Sequence, residues 1–262
     1  MTAVLKVENL QHHYGGVWAL QGVDFELQAG ECVALIGPNG AGKSTCFACV
    51  AGQQTAAHGK VHWHQQDLAR ISAKDRRALG IGRTFQVAQV FEALSVYQNL
   101  QLVLQAAKGV SAFDVLDHCQ NEAASFWLEA MGLQNLGKAA LNDSAAHLSY
   151  GNQKRLELAM AMAGLPQPNQ GLLLLDEPAA GLSPEERLDM MSRIKNLAAQ
   201  GTTVLYTEHN MDAVFGVADR VLVLMEGKLV AQGLPQEAVA NPLVRERYLG
   251  HHFELKESEP HA

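Results

Sequence analysis

The chain has 262 residues, of which 48% are hydrophobic and 18% charged, with a formal net charge of −7. That balance excludes a disordered polymer and a globally basic nucleic-acid binder, and the length suits one large or two small domains. No apolar run approaches the roughly 18–20 residues that cross a bilayer, and Met1–Leu10 lacks a signal peptide's layout, so the chain reads as soluble and cytoplasmic, with any membrane role supplied by a partner.

In chain order, residues 3–8 alternate as a strand. Val23–Leu27 and Cys32–Ile36 are apolar runs joined by Gln28-Ala29-Gly30-Glu31, which predicts a hairpin. A glycine-rich loop follows, then a helix from Lys43 to about Val50. Cys46 and Cys49 share a face of that helix; no second Cys or His pair completes a metal or redox site, so they read as packed thiols. Gly59–His64 reads as a strand that places His62 and His64 on one face. With no carboxylate or Cys beside them, His58, His62 and His64 are expected as exposed polar side chains and not as metal ligands.

From Phe91 to about Leu148 the periodicity turns helical, through Leu94, Leu100, Leu104, Phe113, Leu116, Phe126, Leu128 and Met131. From Tyr150 helices and strands alternate: a helix to about Ala163, strand Leu172–Leu175, helix Glu185–Ala199, strand Thr203–Tyr206, a short helix near Ala213 and strand Arg220–Leu224. Such alternation predicts a parallel sheet covered by helices. Glu226-Gly227 opens a tight hairpin, Leu243–Leu249 is expected as a last helix, and His251–Ala262 is a polar, frayed tail. No internal repeat is visible, which predicts one nucleotide-type unit.

The strongest chemical signal is Gly37-Pro38-Asn39-Gly40-Ala41-Gly42-Lys43-Ser44-Thr45, which fits the phosphate loop G-x-x-x-x-G-K-[ST] between a buried strand and a helix. Glycines let the backbone wrap a phosphate with its N–H groups inward, and the helix start adds partial positive charge. Lys43 is expected on the β- and γ-phosphates, and the Ser44 hydroxyl on Mg²⁺. Leu172–Leu175 reads as a central parallel strand ending in Asp176-Glu177-Pro178. Ligands bind at such strand ends, so Asp176 is expected to hold Mg²⁺ through water and Glu177 to orient or deprotonate the attacking water.

A phosphate loop alone leaves kinases, GTPases, helicases and transport ATPases open, although no N-K-x-D base-reading motif is present. Leu148-Ser149-Tyr150-Gly151-Asn152-Gln153 resembles the Leu-Ser-Gly-Gly-Gln signature of ATP-binding-cassette ATPases. Further family landmarks follow in order. Tyr14 resembles the aromatic that stacks on adenine, Gln86 in Arg83-Thr84-Phe85-Gln86 the Q-loop glutamine, Ala180-Gly181-Leu182-Ser183 the D-loop, and His209 the switch histidine. The resemblance spans about residues 3–250. Tyr150, Asn152 and Ser183 depart from the usual residues, but none removes a charge needed at Glu177, which favours an active ATPase over a regulatory cassette.

The resemblance implies an α/β fold: a phosphate-loop ATPase core with a parallel sheet, an antiparallel β subdomain and a helical subdomain insert (about 87–163), forming one domain over 1–250. Tyr14, Gly37, Asn39, Gly40, Ala41, Gly42, Lys43, Ser44 and Thr45 would bind ATP. Ser44, Gln86 and Asp176 would serve Mg²⁺, with Glu177, His209 and Gln86 in catalysis. Ser149, Gly151 and Asn152 would act in trans, on ATP held by a second cassette. Arg-Thr-Phe-Gln, Asp-Glu-Pro-x-Ala-Gly-Leu, Glu-His-Asn-Met and terminal Tyr-Leu-Gly look like the ATPase subunits of branched-chain amino-acid importers, with urea and amide importers and the lipopolysaccharide-export ATPase as relatives. The implied partners are transmembrane permease subunits, a same or sister cassette and, indirectly, a solute-binding protein, at the cytoplasmic face of the membrane; nucleic acid is not expected. Exposed residues near Gln86, such as Phe91, are candidates for the permease groove. A non-transport cassette, a kinase or a GTPase remain the competing classes.

Overall fold

A computed structural model of the protein describes residues 3–109 and 121–249. Phe113, Leu116, Cys119 and the 251–262 tail lie outside the described residues. Two sheets organise the rest. Strands β1 (Ala3–Tyr14) and β2 (Val17–Gln28) form a hairpin that turns at Gly15-Gly16, longer than the residues 3–8 and 23–27 predict. β3 (Cys32–Ile36) precedes helix α1 (Lys43–Val50). β4 (His58–Trp63) pairs with β1, and β5 (Gln66–Asp67) closes a four-stranded antiparallel sheet in the order β2-β1-β4-β5.

The expected hairpin between Val23–Leu27 and Cys32–Ile36 does not form. β2 alternates buried and exposed residues, as a one-faced antiparallel strand does, whereas every residue of β3 is buried. β3 therefore leaves the first sheet and enters the centre of the second, and residues 28–31 cross between them. Glu31 accepts the N–H of Val204, which fixes the crossing to the second sheet.

The remaining elements are α2 (Ala73–Ala78), β6 (Ile81–Arg83), α3 (Val96–Ala107), α4 (Asn121–Ala130), α5 (Gly137–Asn142), α6 (Tyr150–Ala163), β7 (Leu172–Leu175), α7 (Pro184–Ala199), β8 (Thr203–Thr207), α8 (Met211–Val217), β9 (Arg220–Met225), β10 (Lys228–Gly233) and α9 (Pro235–Ala240). Pro242–Val244 and a π-turn over Arg245–Leu249 stand where one last helix was expected. The second sheet has the order β10-β9-β3-β8-β7-β6, parallel except for the edge strand β10.

Alternate residues of the parallel strands divide between two cores. Val33, Leu35, Leu172, Leu174, Leu205 and Leu222 face α1 and the antiparallel sheet. Ala34, Ile36, Leu173, Leu175, Val204 and Tyr206 face the helical layer, with Leu100, Leu128 and Met131 among its buried residues. Phe126 lies in α4, as its spacing predicts, with its side chain exposed. Cys46 and Cys49 pack in the first core, where burial pushes the Cys49 thiol to about 11 and Cys46 higher still, as inert packed thiols behave.

The histidines also need correction. His64 leaves the strand at φ 46, so it does not share a strand face with His62. A carboxylate does stand beside His62, because β1 brings Glu8 Oε2 within 3.4 Å of its Nδ1. Among the described residues no group of three His, Cys, Asp or Glu side chains is arranged to hold a metal ion.

Candidate nucleotide site

The strand order sets the site. β3, β8, β7 and β6 are neighbours and parallel, so the segments after them emerge side by side at one sheet edge, where ligands of open α/β sheets bind. The glycine loop follows β3, Asp176 and Glu177 follow β7, Glu208 and His209 follow β8, and Gln86 follows β6.

Gly37 has φ 147, and a Cβ there would collide with the carbonyl oxygen of Leu224. Gly42 caps α1 at φ 104, and a Cβ would strike Ala19 O. The loop is thus threaded between β2 and β9, a path open only to glycine at these points. Gly227, in the β9–β10 turn, donates its N–H to Ala41 O at 3.0 Å and braces the loop from outside. Burial raises the phenol pKa of Tyr248, and the nearby Gly37 backbone opposes the rise. Asn39, Gly40 and Ser44 are exposed at the loop and first helical turn, and Thr45 is half-buried. Lys43 Nζ donates to Gly37 O (2.7 Å) and Pro38 O (3.0 Å). Burial draws its pKa down, and the charges of Glu177 and Asp176 oppose that shift.

The acidic pair is held from β8. The buried hydroxyl of Thr207 donates to Asp176 Oδ1 at 2.8 Å and accepts the Glu177 N–H at 2.9 Å. Arg83 Nη2 lies 3.5 Å from Asp176 Oδ2. Glu177 occupies the left-handed region at φ 48, a strained conformation for a non-glycine residue. Its carboxylate accepts Gln86 Nε2 at Oε2 (3.0 Å) and lies 2.7 Å from His209 Nε2 at Oε1. An ionised carboxylate only accepts, so His209 carries its proton on Nε2 in this contact. Glu208 Oε2 takes the N–H groups of His209 (3.0 Å) and Asn210 (3.3 Å), which fixes the turn that presents His209.

The signature stretch starts α6 as its residue types predict: Ser149 Oγ accepts the Asn152 N–H at 3.3 Å. Among the described residues neither Ser149 nor Asn152 bonds to the phosphate loop; Asn152 Oδ1 instead takes Arg155 Nη1 at 3.4 Å. A Cβ on Gly151 would lie 2.6 Å from Glu186 Oε1, so its closest neighbour is α7. Tyr14 ends β1, half exposed, with its ring edge-on to His12 at 4.7 Å. The fold therefore gathers the loop, Asp176, Glu177, His209 and Gln86 at one edge, and leaves the Ser149 cap unengaged with that loop.

Four residues outside the sequence expectations hold this constellation: Thr207, Arg83, Lys154 and Glu157. Lys154 Nζ donates to Phe85 O (2.8 Å) and Gln86 O (2.6 Å), and Glu157 Oε1 accepts the Phe85 N–H (3.0 Å). Only the polar residue types of Lys154 and Glu157 on an otherwise buried helix face hinted at this.

Comparison with known proteins agrees with this arrangement. A family model described as ABC transporter matches residues 20–180. The chain is 37% identical over 257 residues to LivG of Escherichia coli (strain K12), a high-affinity branched-chain amino acid transport ATP-binding protein, covering 94% of this chain and 98% of that protein. It is 34% identical over 253 residues to the lipopolysaccharide export system ATP-binding protein LptB of the same organism, covering 97% and 100%. Its fold matches the ADP conformation of an ATP-binding cassette of an ABC transporter with a TM-score of 0.81 at 27% identity, covering 95% and 100%. More than half of the chain lies within the family model and nearly all of it aligns with both relatives, so it belongs to the ATP-binding-cassette transporter family, as one of its nucleotide-binding ATPases.

Proposed function

We propose that this protein is the ATP-hydrolysing subunit of an importer for branched-chain or related amino acids, working on transmembrane permease subunits at the cytoplasmic face of the membrane. Its solute-binding protein would act from the other side. Among the described residues no helix is long and apolar enough to cross a membrane, so the pathway falls to those partners. The observation that carries the catalytic part is the Glu177 carboxylate, held by Gln86 and His209 beside the phosphate loop.

In this reading the loop backbone and Lys43 bind the triphosphate, and Tyr14 stacks on adenine. Ser44, Asp176 and Gln86 carry the hard oxygen donors that Mg²⁺ prefers and would hold it beside the bound phosphates. Mg²⁺, when bound, neutralises charge on the β- and γ-phosphates. Glu177 orients the attacking water and takes its proton as the new P–O bond forms and the bond from the γ-phosphorus to ADP breaks. His209 and Gln86 keep that carboxylate aimed. Ser149, Gly151 and Asn152 complete the site of a second cassette, so ATP binding closes a pair and hydrolysis reopens it.

A cavity of about 360 Å³ beside the Q-loop, lined by Arg77, Arg83, Phe85, Phe91, Glu157 and Met160 among others, supports a groove for a cytoplasmic segment of the permease. The exposed ring of Phe91 sits at that groove. The test is to purify the chain with the membrane proteins that accompany it and measure which solute stimulates ATP turnover in the assembled complex. Stimulation by branched-chain amino acids supports the proposal. Stimulation by urea or amides moves the cargo, and companionship with lipopolysaccharide-export components moves the direction of transport.

A further inference from the structure

Three side chains on one stripe of α6 hold the Q-loop backbone at Phe85 and Gln86. Tyr150 Oη donates to Gln86 O at 3.2 Å, and Lys154 Nζ donates to the same oxygen at 2.6 Å and to Phe85 O at 2.8 Å. Glu157 Oε1 takes the Phe85 N–H at 3.0 Å. Positions 150, 154 and 157 follow the i, i+4, i+7 spacing of a single helix face. Lys154 is 3% exposed and Glu157 5% exposed, so they are not a solvated surface pair. Bonds to ionised groups out of water are strong, and losing one partner leaves the other unsatisfied.

The same helix is capped by Ser149, five residues before Lys154. At 1.5 Å per residue, roughly 8 Å of unbroken helix separates the cap from the clamp. The Gln86 carbonyl gripped by Lys154 belongs to the residue whose amide touches Glu177. We propose that Lys154, assisted by Tyr150 and Glu157, is a positioning residue that makes α6 a rigid lever between two ATP sites. When the Ser149 cap engages the nucleotide of a neighbouring cassette, α6 carries that displacement to the Q-loop of its own chain and resets Gln86 against Glu177. Lys154 touches no nucleotide itself; it acts through Gln86. The lever rests on the trans role proposed above for Ser149, and it supplies the shared physical element through which one site biases the other.

The test uses the full-length chain and two substitutions. Lys154→Met keeps the length of the side chain but donates nothing, and Lys154→Gln keeps amide donors for the two carbonyls without the charge. ATP turnover is measured against ATP concentration, with thermal unfolding as the fold control. The wild type is expected to be cooperative. Lys154→Met is expected to lower kcat about tenfold, to change KM less than about threefold, and to bring the Hill coefficient to near 1. Lys154→Gln is expected to restore most of both kcat and cooperativity. A folded Lys154→Met protein with wild-type kcat and Hill coefficient overturns the lever. If Lys154→Met does not fold, Tyr150→Phe, which removes only a hydroxyl, is expected to lower kcat about twofold and reduce the Hill coefficient, and no change overturns the lever. A wild type that hydrolyses ATP without cooperativity overturns both the lever and the composite site, whereas cooperativity that survives Lys154→Met overturns the lever alone.

Discussion

Thr207 Oγ1 donates to Asp176 Oδ1 at 2.8 Å, tying the end of β8 to the end of β7. The same oxygen accepts the Glu177 N–H at 2.9 Å, so one hydroxyl sets both acidic residues. Thr207→Val keeps the shape and removes the bonds, leaving a buried N–H and a carboxylate oxygen without partners. The expected cost is about 1–3 kcal/mol of stability, with lower ATP turnover and a higher Mg²⁺ requirement. Thr207→Ser should retain most of both, and a titration of turnover against Mg²⁺ separates the two variants.

Glu177→Gln preserves the size of the side chain and its contact with His209 but cannot take a proton. Nucleotide binding should persist while turnover falls by about 100-fold or more. Equilibrium ATP binding and single-turnover hydrolysis check this together. Hydrolysis at the wild-type rate would remove Glu177 as the base.

Ser149→Arg places a long cation at the α6 cap, on a side chain that is exposed in this chain. Loss of the cap should cost about 0.5–2 kcal/mol of stability; the chain should still fold and bind nucleotide, and hydrolysis should fail. Mixing with subunits of wild-type phosphate loop should rescue it only in part, because each mixed pair retains one defective interface. Hydrolysis that ignores the state of the partner would sink the trans role of this cap.

Arg76 makes a prediction about stability that is independent of catalysis. Its buried guanidinium donates to the carbonyl oxygens of Cys49 (2.7 Å), Val50 (2.7 Å), Leu68 (2.6 Å) and Ile71 (3.0 Å), joining the end of α1 to the segment before α2. Arg76→Met strands several of those oxygens and should destabilise the fold by about 2–4 kcal/mol. Chemical denaturation measures the loss, and an unchanged midpoint would show that the segment closes without this cation.

Much of the site was legible before any coordinates, because its signals are local. The all-apolar Leu172–Leu175 run announces a strand buried on both faces, and the glycines at 37 and 42 announce a backbone path that side chains forbid. The Ser149 cap follows from residue type, and the thiols of Cys46 and Cys49 behave as packed apolar groups. Where local reading erred, sheet membership was at stake. Residues 28–31 have turn chemistry, yet they join two sheets, because the choice of partner strand depends on which faces of β3 need cover and not on the turn itself.

From sequence alone came the nucleotide chemistry, the order of its parts along the chain and the family they belong to, since dihedral preference, burial period and short motifs are written within a few residues of one another. Tertiary structure alone decided which of those parts touch. Lys154 reaches Gln86 across 68 residues, Thr207 reaches Asp176 across 31, and Gln86 reaches Glu177 across 91. The parallel order β3-β8-β7-β6 brings four strand ends to one edge, which Lys154 reaches from α6, and strand order is settled by global burial of both sheet faces.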